Sequence, residues 1–141
     1  MWTKEQLAYF SGIIDGEGTI YIQKVDRKKF IDYFPRIQIV NTNKELMYWI
    51  KDTFGGIVVS RDRSNENRNW RIQYTWYTTR KLMDVIIPLI LPFLIVKKQQ
   101  VEKMIEFRKT FTDKKTYRIT PEILSIREDF MNQIRHFNNP L

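Results

Sequence analysis

Two carboxylates in a stretch of apolar and very small residues are the side chains of this chain best suited to chemistry. Residues 10–18 read FSGIIDGEG, in which the two acids are Asp15 and Glu17. Carboxylate oxygens are natural ligands of Mg²⁺, although one acid is a poor metal site by itself. The chemistry therefore depends on what the surrounding elements bring to this stretch.

A helix precedes the two acids and carries a strip of residues with little or no side chain. Thr3 and Gln6 have the spacing of a capping box, which predicts that a helix begins there. Ala8, Gly12 and Gly16 follow at intervals of four residues and share one helical face. A glycine inside a helix costs about 1 kcal/mol relative to alanine, so the strip needs a reason. It predicts either the close approach of another backbone or tight packing in the core.

The stretch 10–18 resembles the LAGLIDADG motif of the homing endonuclease family. Gly16 stands where the motif has alanine, and Glu17 stands where it has its second aspartate. In this family two such helices pack face to face, and the second acid of each binds a divalent metal at the centre of a long DNA site. The resemblance implies that Glu17 and the carbonyl group of Gly16 are metal ligands, and that Asp15 is more structural.

A single copy of the motif has a consequence for assembly. Family members with one motif work as homodimers, so the resemblance implies a homodimer of this chain. Glu17 and its symmetry mate would then form a two-metal centre that uses Mg²⁺, accepts Mn²⁺, and binds Ca²⁺ without supporting cleavage. The implied dimer interface lies along the motif helix, at Ala8, Gly12, Ile13, Asp15 and Gly16.

Charge and composition favour a nucleic-acid partner. A net charge of +8 over 141 residues, with a pI of about 9.7, favours a polyanion, nucleic acid before membrane. Simple solubility is the alternative explanation.

The absence of cysteine excludes disulfides and thiolate metal sites. The first residues lack a signal-peptide pattern, which predicts an intracellular protein of the cytoplasm, nucleoid or organelle matrix. The apolar run 85–96 is too short to span a bilayer and predicts a buried segment.

Periodicity predicts an α+β fold in a single domain, 1–141. The predicted strands are 19–25, 33–40, 57–63 and 69–76, with loops at 26–30 and 64–68. The predicted helices begin at Thr3, at a Thr42–Glu45 capping box, near Thr79, at Val96 and at Thr120, with Gly55-Gly56 ending the second and Pro88 and Pro92 interrupting the third. The order α-β-β-α-β-β-α, followed by more helix, is that of the LAGLIDADG domain. It gives a core of about residues 5–105 and a helical extension over about 106–141.

Alternation along the strands separates an apolar face from a face rich in arginine, glutamine, threonine and tyrosine. Arginine and glutamine can read purine edges in the major groove, whereas lysines around the first loop suit phosphates. The alternative is the ordinary wet face of an antiparallel sheet. The residues predicted to bind DNA are Thr19, Tyr21, Gln23, Lys24, Lys28, Arg36, Gln38, Arg61, Arg63, Arg71, Gln73 and Thr75.

Two further positions follow from the family resemblance. The family often has a polar amide after the second strand, which positions water near the metal, and a lysine after a Pro-Phe-Leu segment. Asn41 and Lys97 occupy these places, which implies catalytic roles beside Glu17. Asn41 has capping of the next helix as an alternative role, and Lys98 is the rival of Lys97. Glu45 stands where some members have a basic residue.

Together these features give one main hypothesis and two alternatives. The main hypothesis is a homodimeric, Mg²⁺-dependent, intron-encoded homing endonuclease that cuts both strands of a long, near-palindromic duplex DNA. One alternative is an RNA maturase that assists intron splicing, with intron RNA as its partner. The other is a DNA-binding regulator that does not cut and has no need of Glu17.

Overall fold

The fold is a four-stranded antiparallel sheet packed against helices. In the computed structural model, residues 1–62, 65–66, 71–111 and 119–140 are described. The elements are α1 (Lys4–Glu17), β1 (Gly18–Arg27), β2 (Phe30–Asn41), α2 (Lys44–Phe54), β3 (Ile57–Arg61), β4 (Gln73–Tyr77), α3 (Arg80–Ile90), a 3₁₀ turn (Leu91–Phe93), α4 (Lys98–Arg108) and α5 (Pro121–Asn138). The strands lie in the order β1-β2-β4-β3 in the sheet. This confirms the predicted α+β fold and its element order.

The helix α1 begins with the predicted capping box. The backbone N–H of Gln6 donates to Thr3 Oγ1 over 3.1 Å, and the side-chain oxygen of Gln6 accepts from the Thr3 N–H over 3.0 Å. The indole N–H of Trp2 donates to the carbonyl of Thr53 over 2.7 Å, and the Trp2 ring packs on Phe54. These contacts fix the start of α1 against the end of α2. Because α1 is a continuous helix, they also help to position its C-terminal end.

The first hairpin is longer than predicted. β1 continues to Arg27 and β2 begins at Phe30, which pairs with Arg27, so only Lys28 and Lys29 form the turn. The predicted loop over 26–30 is therefore wrong. Charged residues near a hairpin tip are compatible with strand pairing because their side chains reach water on either face.

The two shorter strands also differ from their predicted bounds. β3 ends at Arg61 rather than at 63, and β4 begins at Gln73 rather than at 69. Arg71 comes just before β4 and is exposed. Arg63 and most of the connection between the two strands lie outside the described residues.

Two predictions about the helices are wrong. The N-cap of α2 is Asn43, whose Oδ1 accepts from the Leu46 N–H over 2.9 Å, rather than Thr42. Asparagine and threonine both cap helices, and here the residue one position later does so. Pro88 lies inside α3 without interrupting it, on the exposed side of the helix, where the carbonyl freed by the missing N–H can reach water.

The core lies between the helices and one face of the sheet. Phe10 of α1 is fully buried and stacks on Phe54 with ring centroids 4.3 Å apart. Its ring is perpendicular to that of Trp76, and the centroids of these two rings are 5.4 Å apart. Full burial of such a side chain stabilises the fold by about 1.5–3 kcal/mol. Each strand supplies alternate residues to this face, with Ile20, Ile22, Ile37 and Ile39 buried among them. The predicted apolar face of the sheet is thereby confirmed.

The Gly55-Gly56 pair ends α2 as predicted and also seats a core tryptophan. Both glycines have positive φ, +94° and +91°, which other residues rarely adopt. A Cβ on Gly56 would lie 2.5 Å from Nε1 of Trp76. The indole N–H of Trp76 instead donates to the Gly55 carbonyl over 2.8 Å.

The last helix, α5, packs against α4 and β1. Its buried Arg127 lies over the ring of Phe111, 3.7 Å from the centroid, and donates to the carbonyl of Thr110 over 3.1 Å. The hydroxyl of Tyr33 donates to Glu128 over 2.6 Å, which ties α5 to the first hairpin. Among the described residues, none of the helices has the length and apolar character needed to cross a membrane.

Candidate active site and nucleic-acid face

Glu17 lies at the C-terminal end of α1, exposed to solvent, and β2 brings a partner to it. Gly18 pairs with Ile39 at the start of the sheet, which places the end of β2 next to the foot of α1. The side-chain amide of Asn41 donates to Glu17 Oε2 over 2.7 Å. Two of the predicted catalytic residues are therefore in direct contact.

Asn41 also fixes the turn that leads into α2. Its Oδ1 accepts from the backbone N–H of Asn43 over 2.7 Å, while Asn43 itself caps the helix. Asn41 is therefore not the cap of α2, which was its alternative role. Because one end of its amide is held by the backbone, the other end is aimed at Glu17.

Asp15 points the other way, into its own chain. Its carboxylate accepts three backbone hydrogen bonds, from Ile95 over 2.7 Å, from Val96 over 3.1 Å and from Lys97 over 3.0 Å. The Lys97 ammonium donates to the carbonyl of Asp15 over 2.8 Å. The carboxylate of Asp15 therefore anchors the segment before α4 to α1, and the place of Asp15 in a dimer interface stays a prediction.

The same contacts separate the two candidate lysines. Lys97 is partly buried and its ammonium lies against the last turn of α1, one residue from Gly16. Lys98 is the first residue of α4 and is exposed. The structure thus brings Lys97 to the same helix end as Glu17 and Asn41.

The residues at this helix end suit a hard divalent cation. The last carbonyls of a helix lack donors within the helix, and Gly16 is exposed, so oxygen ligands lie next to the Glu17 carboxylate. Carboxylate and carbonyl oxygens are the donors that Mg²⁺ takes. Within the described part of the chain, no three His, Cys, Asp or Glu side chains come together as a metal site.

The small-residue face of α1 is open. Ala8, Gly12 and Gly16 are exposed, and a Cβ built on either glycine meets nothing within 4 Å. Tight packing within the chain, which was one of the two explanations of the strip, is therefore wrong for these glycines. The open groove along this face is lined by Ala8, Tyr9, Gly12, Ile13, Gly16, Glu17 and Leu46.

Exposed apolar side chains flank this face, and sequence reasoning missed them. Tyr9 is 57% exposed, and Ile95 and Val96, whose backbone binds Asp15, are 87% and 66% exposed. The prediction that 85–96 is buried is wrong at Ile95 and Val96, although Ile86, Ile87, Ile90 and Leu94 are buried. An apolar run gives no sign of where its last residues emerge from the core.

The face of the sheet away from the helices collects most of the predicted DNA-binding residues. Tyr21 donates to Gln38 over 3.1 Å, and Arg36 donates to Gln23 over 3.2 Å. Burial raises the pKa of the Tyr21 hydroxyl, and Tyr77 adds to this effect while Arg36 opposes it. Register places the predicted residues Thr19, Tyr21, Gln23, Arg36, Gln38, Arg61, Gln73 and Thr75 on this open face.

The other predicted DNA-binding residues lie elsewhere. Lys28 is exposed in the hairpin turn. Lys24 lies on the helix side of the sheet, because β1 extends past it and it alternates in phase with Ile20 and Ile22. There it pairs with Glu128 over 3.0 Å, and its predicted contact with a DNA phosphate stays a prediction.

Acidic residues also touch this face, which the sequence pattern did not suggest. Asp32 lies on the same face as Arg36 and Gln38, because alternate residues of β2 share a face. Arg80 forms an ion pair with it over 3.3 Å. Arg61 pairs with Glu66 over 2.5 Å. An arginine held in this way must leave its partner before it can bind anything else.

Comparison with known proteins agrees with this geometry. The sequence profile of the family described as LAGLIDADG endonuclease matches residues 10–111. No curated protein gives a significant sequence match. The homing endonuclease I-CvuI, crystallised with the I-CreI target DNA, uncleaved in the presence of Mg, is similar with a TM-score of 0.80 and 16% identity over 96% of this chain and 83% of that one.

Two other solved structures share the fold. The archaeal intron-encoded homing endonuclease I-Vdi141I, complexed with DNA, has a TM-score of 0.74 and 16% identity over 94% of this chain and 84% of its own. The homing endonuclease I-TnaI has a TM-score of 0.67 and 17% identity over 99% of both chains. At these identities the structures show a common fold, whereas the profile covers well over half of the chain and begins at the motif. The chain therefore belongs to the LAGLIDADG endonuclease family.

Proposed function

We propose that a homodimer of this chain binds a long, near-palindromic duplex DNA and cuts both strands by Mg²⁺-dependent hydrolysis. The observation that carries this proposal is the position of Glu17. Its carboxylate is exposed at the foot of a helix with an open small-residue face, and Asn41 holds it by a hydrogen bond of 2.7 Å. A purely structural role for Glu17 would not explain why its carboxylate is both exposed beside this open face and held by a hydrogen bond.

The dimer is supported by what α1 leaves uncovered. A second copy of α1 could approach closely along Ala8, Gly12 and Gly16, where the chain itself puts nothing against the glycines. Such packing would also cover Ile95 and Val96 at the foot of the helix. It would bring the two Glu17 carboxylates together and so complete a centre for which one chain supplies a single acid.

The roles of the site residues follow from their contacts. A bound Mg²⁺ supplies Lewis acidity and an activated water, and Mn²⁺ should replace it while Ca²⁺ should support binding only. Asn41 orients the Glu17 carboxylate, and the Gly16 carbonyl adds an oxygen ligand. Lys97 provides fixed positive charge where a phosphate would gain negative charge in the transition state.

Duplex DNA is the proposed partner of the open face. Two-stranded β-ribbons fit the major groove, and arginine and glutamine can bind purines there by two hydrogen bonds. A net charge of +8 favours attraction to phosphates, and Lys28 at the hairpin tip can reach them. A two-fold dimer reads two half-sites, which explains why the target should be near-palindromic.

The two alternatives use the same fold without this reaction. A maturase would bind intron RNA, for which the arginines of the open face are also suited. A regulator would bind DNA without metal and would not need Glu17 or Lys97. The contact between Glu17 and Asn41, with Lys97 at the same helix end, favours the endonuclease.

The test is a cleavage selection from a large pool of random duplex DNA. The protein is incubated with the pool and Mg²⁺, and double-strand ends are captured and sequenced. We expect ends clustered at one near-palindromic sequence, and no such cluster with Ca²⁺ or with Glu17→Gln. Glu5→Gln makes the same change at an exposed position on the same helix and should cut normally.

The outcomes separate the three functions. Cutting by Glu17→Gln would show that the acid is misassigned. DNA binding without clustered ends, across pools that contain the bound sequence, would favour the regulator. Failure to bind DNA together with specific binding to intron RNA would favour the maturase.

A further inference from the structure

The open face of the sheet contains an apolar row among its polar side chains. Val40 of β2 pairs with Thr75 of β4, and Thr75 pairs with Val59 of β3. Val59 is 52% exposed, and the other two are half-buried. The neighbouring row, Ile39 with Trp76, is fully buried on the opposite face. Strand alternation therefore fixes the apolar row on the open face.

This row lies next to the candidate active site. Val40 directly precedes Asn41, whose amide contacts Glu17. Further along the sheet the next row is Thr19, Gln38, Tyr77 and the half-exposed Ile57, and beyond it Tyr21 faces Arg36. The row thus lies at the end of β2 that adjoins the candidate active site.

Valine has only one favourable partner on the floor of the major groove. The bases expose donors and acceptors there, except for the 5-methyl group of thymine. A valine against a polar base edge leaves that edge without its water and without a replacement hydrogen bond, which is costly. Three strands span about 10 Å, which fits within a major groove about 12 Å wide.

We infer that Val40, Thr75 and Val59 select thymine at the end of each half-site nearest to the cut, by contact with its 5-methyl group. This inference rests on the proposed DNA-binding function and adds a specificity to it. RNA contains uracil, which lacks this methyl group, so the row also gives the face a reason to prefer DNA.

The test uses two random duplex pools, one made with thymine and one with uracil in its place. Binding is selected in Ca²⁺, so that cleavage does not remove the bound molecules. We expect a symmetric pair of positions at which thymine is selected and uracil is not. The affinity should fall about fourfold per half-site on removing the methyl group, the factor that corresponds to about 0.8 kcal/mol for one buried methylene.

Two variants locate the contact. Val59→Ala changes a half-exposed side chain and should lose the distinction between thymine and uracil while other positions of the site keep their preferences. Val40→Ala should do the same. Val25→Ala is the matched control, since Val25 lies on the same face far from Val40 along the hairpin, and it should retain the distinction.

Each result has a definite meaning. Equal selection of thymine and uracil by the unchanged protein would overturn the inference and leave the proposed function standing. A distinction that survives in both Val59→Ala and Val40→Ala would also overturn it. The absence of any selected sequence in either pool would contradict the proposed function and the inference together.

Discussion

At the foot of α1 two acids two residues apart do different work. Glu17 faces solvent and contacts Asn41, whereas Asp15 accepts hydrogen bonds from three successive backbone N–H groups. The second arrangement fixes the backbone of Lys97, and the carbonyl of Asp15 then holds the lysine ammonium. Asp15 thus positions the Lys97 ammonium beside the candidate site, although its own carboxylate is turned away from that site.

This arrangement predicts different behaviour for the two adjacent lysines. Lys97→Met removes the ammonium beside the last turn of α1, so cleavage should fall by about 10²–10³-fold, as for other lost transition-state donors. DNA binding in Ca²⁺ should change little, because one phosphate contact among many is lost. Single-turnover cleavage and equilibrium binding of the selected target measure the two effects.

Lys98→Met is the matched control, because it removes an exposed charge from the next residue. It should cut at close to the normal rate. If Lys98→Met lost cleavage while Lys97→Met kept it, the assignment of the pocket lysine would have to be reversed.

The sequence could indicate some of these residues but not the others. Glu17, Asn41 and Lys97 could be proposed because the family resemblance carries their places in the chain, and the structure brings them to one helix end. The inward turn of Asp15 was hidden, since its hydrogen-bond donors lie about eighty residues away. Contacts at that separation depend on how the elements pack, which local spacing does not record.

At the scale of elements, local chemistry predicted the helix starts better than the strand ends. Thr3, Thr79 and Thr120 act as caps because a cap depends on its own side chain and the next three residues. Thr42 failed because Asn43 offers an equally good oxygen one residue later. The bounds of the first hairpin failed because pairing with a partner strand, rather than polarity, decides where a strand ends.

The contact between α5 and the first hairpin predicts a pH dependence of stability. Hydrogen bonds from Tyr33 and then from Lys24 lower the pKa of Glu128 below its ordinary value of 4.5. The folded state therefore releases this proton more readily than the unfolded state. Its contribution to stability is present above pH 4.5 and is lost as the pH falls through the lowered folded pKa. Glu128→Gln should remove that part of the acid sensitivity.

The contact between Tyr33 and Glu128 also makes stability depend on pH in the alkaline range, where stability is lost as the pH rises. Burial, and then the hydrogen bond to Glu128, raise the pKa of Tyr33 from 10.0 to about 12. This contribution is complete below pH 10 and is lost as the pH rises towards 12.

Urea unfolding followed by tryptophan fluorescence across the pH range measures both effects. Glu122→Gln, an exposed change on the same helix, should leave both pH dependences intact, and equal curves for Glu128→Gln and the unchanged protein would contradict the assignment.

At the scale of the molecule, the proposed function makes one chain half of a symmetric dimer. In that proposed dimer each sheet would offer a face to one half-site, and the foot of each α1 would offer one acid to a shared centre. The open face of α1 runs to Glu17, and β2 also ends there, since the side-chain amide of Asn41 donates to the Glu17 carboxylate. Pairing two chains through α1 would therefore join the two DNA faces and complete the centre in one step.

Gly12→Leu tests this assembly, because it should separate folding of the chain from dimer formation. In one chain a Cβ at this position meets nothing within 4 Å, and replacing glycine within a helix stabilises that helix by about 0.5–1 kcal/mol. Between two copies of α1, the added side chain would keep the backbones apart. We expect sedimentation to show the unchanged protein at twice 17.2 kDa and Gly12→Leu at 17.2 kDa, with normal helix content and no double-strand cleavage. Asn132→Leu adds the same side chain to an exposed position of α5 and should remain dimeric and active. A Gly12→Leu variant that stays dimeric would place the interface elsewhere, and a chain that is monomeric without any change would remove the shared centre from the proposed function.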